Sequence, residues 1–102
     1  MKILKKFFST SHSEAADKLA EEFVRKCPLE VISNLDKSKN KIKYNGALNH
    51  LYSDVKEYAR NNNLNMYAKA KIGNRFMWKL KESGYDEALV EKLTTDILKI
   101  LG

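Results

Sequence analysis

Lys71, Arg75 and Lys79 recur at four-residue intervals, which on a helix sets three cations in one row. Spaced about 100° apart, Tyr67, Asn74 and Trp78 fall beside that row, with the two rings nearly eclipsed. Cations so placed can hold a phosphate backbone while the rings stack on unpaired bases. Tyr67, Lys71, Asn74, Arg75, Trp78 and Lys79 are therefore the candidate binding residues, and nucleic acid or another anionic surface the candidate partner. A plainer reading competes with this one. The rings could pack on the first helix or on the N-terminal arm, leaving the lysines and arginine as a solvated face. A protein partner or a second copy of the chain could use the same patch.

Other chemistry is poorly provided for. His12, Cys27 and His50 are the soft ligands, and none pairs with another at helical spacing, so no metal site is expected. His50 reads as a boundary histidine, His12 as part of a capping sequence and Cys27 as a small buried apolar residue. No Gly-x-Ser-x-Gly turn and no Gly-rich phosphate loop occurs. The pairs Glu21-Glu22 and Asp86-Glu87 are adjacent, so they point apart on a helix. Asp54 and Glu57 share a face, but Lys56 and Arg60 surround them as on a solvated surface. Neither catalysis nor a cofactor is expected.

The segment that carries the candidate residues, Leu64–Ser83, must be a helix for any of this to hold. Asn65 suits its N-cap, and Gly84 ends it. An arc of Phe76, Leu80, Gly73, Met66, Met77 and Ala70 should face the core, with Ala68 and Ile72 extending it on one side. Before it, Tyr44, Leu48, Leu51, Tyr52, Val55, Tyr58 and Ala59 follow the spacing of a long amphipathic helix. Gly46 weakens that helix or marks a close contact, and Asn61-Asn62-Asn63 should stop it with a left-handed cap. A DNA-reading helix-turn-helix would need a steep crossing at this turn. Two helices apolar along their length suit an αα-hairpin better.

Earlier still, Ser11-His12-Ser13-Glu14 has capping-box spacing and opens a helix with Ala15, Ala16, Leu19, Phe23 and Val24 on one stripe. Cys27-Pro28 ends it, a short helix over Pro28–Leu35 follows, and residues 36–41 read as a polar, basic loop. At the far end Asp86 caps a last helix, with Tyr85 reaching towards Val90. Leu89, Val90, Leu93, Ile97, Leu98 and Leu101 turn inward there.

The expected fold is all-α: a small antiparallel helical bundle of about four main helices plus short helical pieces. At 102 residues with 43% hydrophobic content, one domain spanning 1–102 is expected. Residues 1–12 form a basic amphipathic arm, in which Ile3, Leu4, Phe7 and Phe8 oppose Lys2, Lys5 and Lys6. Docking of that arm on the domain is preferred over membrane association, since two turns bury little and no second anchor is present. The apolar stretch of a signal peptide is missing, because Ser9-Thr10-Ser11 follows the charged opening at once. A single cysteine fits a reducing compartment, and the cytoplasm is the expected location.

The net charge of +6 needs discounting, since lysines outnumber arginines sixteen to three, a bias that nucleotide composition alone can produce. Its distribution says more. The count is +4 over Leu64–Ser83 and +3 over Asp36–Asn45, but −2 over Ser13–Leu35 and −2 over Gly84–Gly102.

Overall fold

In the computed structural model, which describes residues 11–102, the capping box forms as its spacing predicts. Ser11 Oγ accepts from the Glu14 amide at 3.2 Å, and Glu14 Oε1 accepts from the Ser11 amide at 3.2 Å. Helix α1 runs from there over His12–Lys26 and stops at Cys27-Pro28. Helix α2 is a single turn, Leu29–Ile32, and buries Val31. Helix α3 spans Ser38–Asn61, α4 Met66–Glu82 and α5 Glu87–Leu101. The described residues hold five helices and no strand, an all-α bundle. Of the arm expected over residues 1–12, residues 1–10 lie outside the described residues, and Ser11 and His12 belong to the start of α1.

Helix α2 is shorter than the Pro28–Leu35 expected, and both ends of α3 differ from their sequence reading, one in position and one in its cap. Helix α3 starts inside the supposed basic loop, because Asn40 is buried and its Nδ2 donates to the Asn34 carbonyl at 2.9 Å. That bond satisfies a carbonyl left over after α2 and draws the loop into a helical turn. At the other end of α3 no left-handed cap forms. Asn62 is extended (φ −137°, ψ 138°), and no described non-glycine residue has positive φ. The asparagines act through their side chains instead. Asn61 and Asn62 donate to the Glu57 and Tyr58 carbonyls at 2.8 and 2.9 Å, filling acceptors that a helix end leaves open.

Helix α1 packs against both α3 and α4, and α5 against the same two. The α3–α4 pair joined by residues 62–65 is therefore diagonal across the bundle and not an αα-hairpin along its length. Three cross-links fix the register of α1 beside α4: Asp17 to Arg75, Glu21 to Lys79 and Cys27 to Tyr85, each 58 positions apart. A constant offset means the two helices run parallel. Against α3 the order reverses, with His12 meeting Tyr58 and Phe23 meeting Tyr44. Between the four long helices Phe23, Val55, Tyr58, Ile72, Phe76, Leu80, Val90, Leu93 and Ile97 are at most 1% exposed. Each such side chain contributes roughly 1.5–3 kcal/mol by leaving water.

Tyr85, expected to reach towards Val90, is also held by the end of α1. Its ring is buried edge-on to Phe23, with centroids 5.9 Å apart, and its hydroxyl donates to the Cys27 carbonyl. Residues 83–86 are thereby pinned to the end of α1. The close helix contact lies at Gly73, not Gly46. A Cβ on Gly73 would come within 2.7 Å of Leu98 Cδ2, whereas no described residue of another element stands within 4 Å of one on Gly46. Leu98, expected inward, is 38% exposed and covers Gly73 from the rim.

Candidate binding face

Asn65 caps α4 as expected, its Oδ1 accepting from the Ala68 amide at 2.8 Å. The helix then presents a buried arc of Ala68, Ile72, Gly73, Phe76 and Leu80. That arc is rotated by about 60° (at 100° per residue) from the one expected. Met66 is 84% exposed and Ala70 is exposed too, contrary to their assignment to the core. The cause is the placement of the neighbours: α1 lies on the side of Arg75 and Lys79 and α5 on the side of Gly73, so α4 turns Met66 and Ala70 outward.

The rotation brings Tyr67, Ala70, Lys71, Asn74 and Trp78 to the surface together. Tyr67 is 75% and Trp78 53% exposed, so neither ring is a core residue. Tyr67, Ala70, Lys71 and Asn74 line a shallow hollow. Each ring has a lysine near it: Lys71 Nζ stands 6.0 Å from the Tyr67 centroid, and Lys81 Nζ 5.2 Å from the Trp78 centroid. Such contacts are worth about 0.5–1 kcal/mol at exposed sites. Neither lysine has a carboxylate partner among the described residues. Lys81 was not among the expected residues, although its i+3 spacing from Trp78 made the contact legible.

The rest of the basic row is engaged elsewhere. Arg75 grips Asp17 with both arms, Nε to Oδ1 at 2.7 Å and Nη2 to Oδ2 at 3.1 Å, a forked charge-assisted pair. Hydrogen bonding to Asp17 also pushes the guanidinium pKa upward. Lys79 lies 3.5 Å from Glu21. The structure thus places all six candidate residues along one helix, yet ties two of their three cations to α1.

A second group assembles between α1 and α3. Glu22, His50 and Asp54 place one ligand atom each within 4.8 Å of one another. The i, i+4 spacing of His50 and Asp54 was legible, but Glu22 comes from another helix and could not be joined to them by periodicity. His12 does more than cap: its Nδ1 shares a hydrogen bond with the Tyr58 hydroxyl at 2.6 Å. Cys27 is fully buried, as its apolar reading expects, and burial pushes its thiol pKa up. No described helix is long and apolar enough to cross a membrane. Comparison with known proteins finds no family model, no curated protein and no solved structure that matches this chain.

Proposed function

We propose that the chain is a non-enzymatic binding module of the cytoplasm that takes an anionic partner, such as single-stranded nucleic acid, on the outward face of α4. The observation that carries this is the joint exposure of Tyr67 and Trp78, each with a lysine at its ring. Exposed rings offer stacking worth about 1–3 kcal/mol per base, and the flanking ammonium groups take the phosphates. With Arg75 and Lys79 committed to α1, Lys71 and Lys81 remain as phosphate contacts. Two contacts on a single strand give a log–log salt slope near about −1.4. A fluorescence titration of Trp78 with single-stranded oligonucleotides at about 50 mM salt tests this. Quenching with that shallow slope supports the reading, and unchanged Trp78 emission defeats it.

A protein partner or a second copy is the alternative, favoured by the exposure of Met66 beside Tyr67 and by the neutralised α1 edge. Aromatic and methionine side chains are enriched in protein interfaces, and charges are depleted at their centres. Light scattering over a concentration series separates the homo-oligomer, whose mass rises with concentration, from the monomer.

A further inference from the structure

The cluster between α1 and α3 has the dimensions of a cation site. His50 Nε2 stands 3.4 Å from Glu22 Oε1 and 3.4 Å from Asp54 Oδ2. A well-formed N–H···O hydrogen bond is shorter, about 2.9–3.0 Å. Ligands held about 2.0–2.1 Å from a tetrahedral zinc ion, however, are separated from one another by about 3.4 Å. The donor set is one imidazole and two carboxylates, which suits a zinc-class ion and is foreign to the all-oxygen sites of magnesium and calcium.

The surroundings hold these donors in place. Asp54 is 5% exposed, and Leu19, Phe23, Ala47 and Leu51 wall the same cleft. His50 and Asp54 sit one turn apart on α3, and Glu22 projects from α1, in an interface pinned at its ends by His12–Tyr58 and Phe23–Tyr44. The His50 side chain is 42% exposed, so the cluster meets solvent on the imidazole side. Arg25 lies 3.7 Å from Glu22 on the solvent side, and Lys26 lines the cleft. A divalent ion would compete with both.

We propose that Glu22, His50 and Asp54 form a three-donor site for a zinc-class divalent cation that clamps α1 to α3. The site is separate from the α4 face and stands whether or not that face binds anything. Because a cation bound only by the folded chain stabilises it, zinc should raise the melting temperature and magnesium should not. The test is calorimetric titration of the full chain with zinc chloride, alongside melting curves for wild type, His50→Ala and Glu22→Gln. Binding of one ion per chain is expected, weakened about 100-fold or more in His50→Ala, since even a supporting partner of a ligand is worth ~10–100-fold.

No binding at zinc concentrations up to about 1 mM would overturn the site, as would a melting shift that survives His50→Ala. X-ray absorption of the zinc complex must show nitrogen and oxygen neighbours, and a sulfur neighbour would move the ion to Cys27. Should His50→Ala fail to fold, the wild-type His50 ring resonances decide instead. They must shift on titration, and a stationary ring defeats the proposal.

Discussion

The two long edges of α4 use the same residue types to opposite ends. On the edge that meets α1, Arg75 and Lys79 find Asp17 and Glu21 one helical turn apart in a parallel register. Moving one turn back to Lys71, the same register of 58 brings Ser13, which carries no charge. Lys71 therefore turns to the Tyr67 ring instead. A basic row on one helix is thus not a property of that helix alone. Its meaning is decided by the spacing of carboxylates on the neighbour, and the outward face keeps its cations because none of the described helices supplies a carboxylate to it.

The sharpest way to break this contrast is to truncate one ring on each side. Phe76 and Trp78 are two residues apart, but Phe76 is fully buried between helices while Trp78 is 53% exposed. Phe76→Ala should cost about 3–5 kcal/mol through lost burial and the cavity left behind. Trp78→Ala should change stability by no more than about 0.5 kcal/mol, yet remove the stacking surface. Urea denaturation of both variants reads this directly. A Trp78→Ala loss as large as that of Phe76→Ala would show the ring to be part of the core.

Tyr85 joins the two regions, since it closes the α4–α5 turn onto the end of α1. Tyr85→Phe keeps the ring against Phe23 but removes the hydroxyl that the Cys27 carbonyl accepts from. Leaving that acceptor without its donor should cost about 1–3 kcal/mol. Burial also pushes the Tyr85 phenol well above its usual range. A thermal midpoint equal to wild type would mean that the carbonyl finds another donor.

What could be read in advance follows the range of the interaction. Caps at Ser11, Asn65 and Asp86 depend on residues two or three apart and were legible, as were the core stripes of α1 and, Leu98 apart, of α5. The candidate residues of α4 were legible as a group because one helix carries them all. The exposure of Met66 and Ala70 was not, because apolar type alone does not say which flank of a wide arc the neighbours leave bare. Asn62 failed for a related reason. Its residue type permits a left-handed cap, but a side-chain bond to the Tyr58 carbonyl meets the same need without positive φ. The pairing of Asp17 with Arg75 and the meeting of Glu22 with His50 both require the α1 register, which no local pattern encodes.

Releasing the tied cations should make one edge of α4 resemble the other. Asp17→Asn with Glu21→Gln removes both partners of the row. Arg75 is 51% and Glu21 62% exposed, so solvent screens these pairs and the loss in stability should stay within about 1 kcal/mol each. Binding to an anionic strand should respond more. Two further phosphate contacts on a single strand would steepen the salt slope from about −1.4 to about −2.8. An unchanged slope would confine recognition to the rings, Lys71 and Lys81, whereas a steeper one would show that α1 restrains this surface.

The smallest expected effect belongs to the seam between α3 and α5, where a polar contact is half sheltered and so sits between the two edges of α4 in character. Asp96 Oδ2 accepts from the Tyr52 hydroxyl at 2.5 Å and from Lys92 Nζ at 2.9 Å. The hydrogen bond from Tyr52, and then that from Lys92, hold the Asp96 carboxyl below its usual range. Tyr52 moves the opposite way, pushed up to about 12 first by burial and then by Asp96. The signs follow from linkage. A carboxyl with a depressed folded value stabilises the protein above its ordinary pKa, and this is lost as pH falls through the lower, folded one. A phenol with a raised folded value stabilises the protein below its ordinary pKa of 10.0, and this is lost as pH rises through about 12. Asp96→Asn should therefore flatten the acid limb of a stability–pH curve while leaving much of the alkaline limb, because burial outranks Asp96 in raising the phenol. Tyr52→Phe should remove the phenol's own alkaline contribution and, by withdrawing one of the two bonds to the carboxylate, also soften the acid limb. Equal acid limbs in wild type and Asp96→Asn would show that the carboxylate is as well satisfied by water in the unfolded chain as by Tyr52 and Lys92 in the folded one.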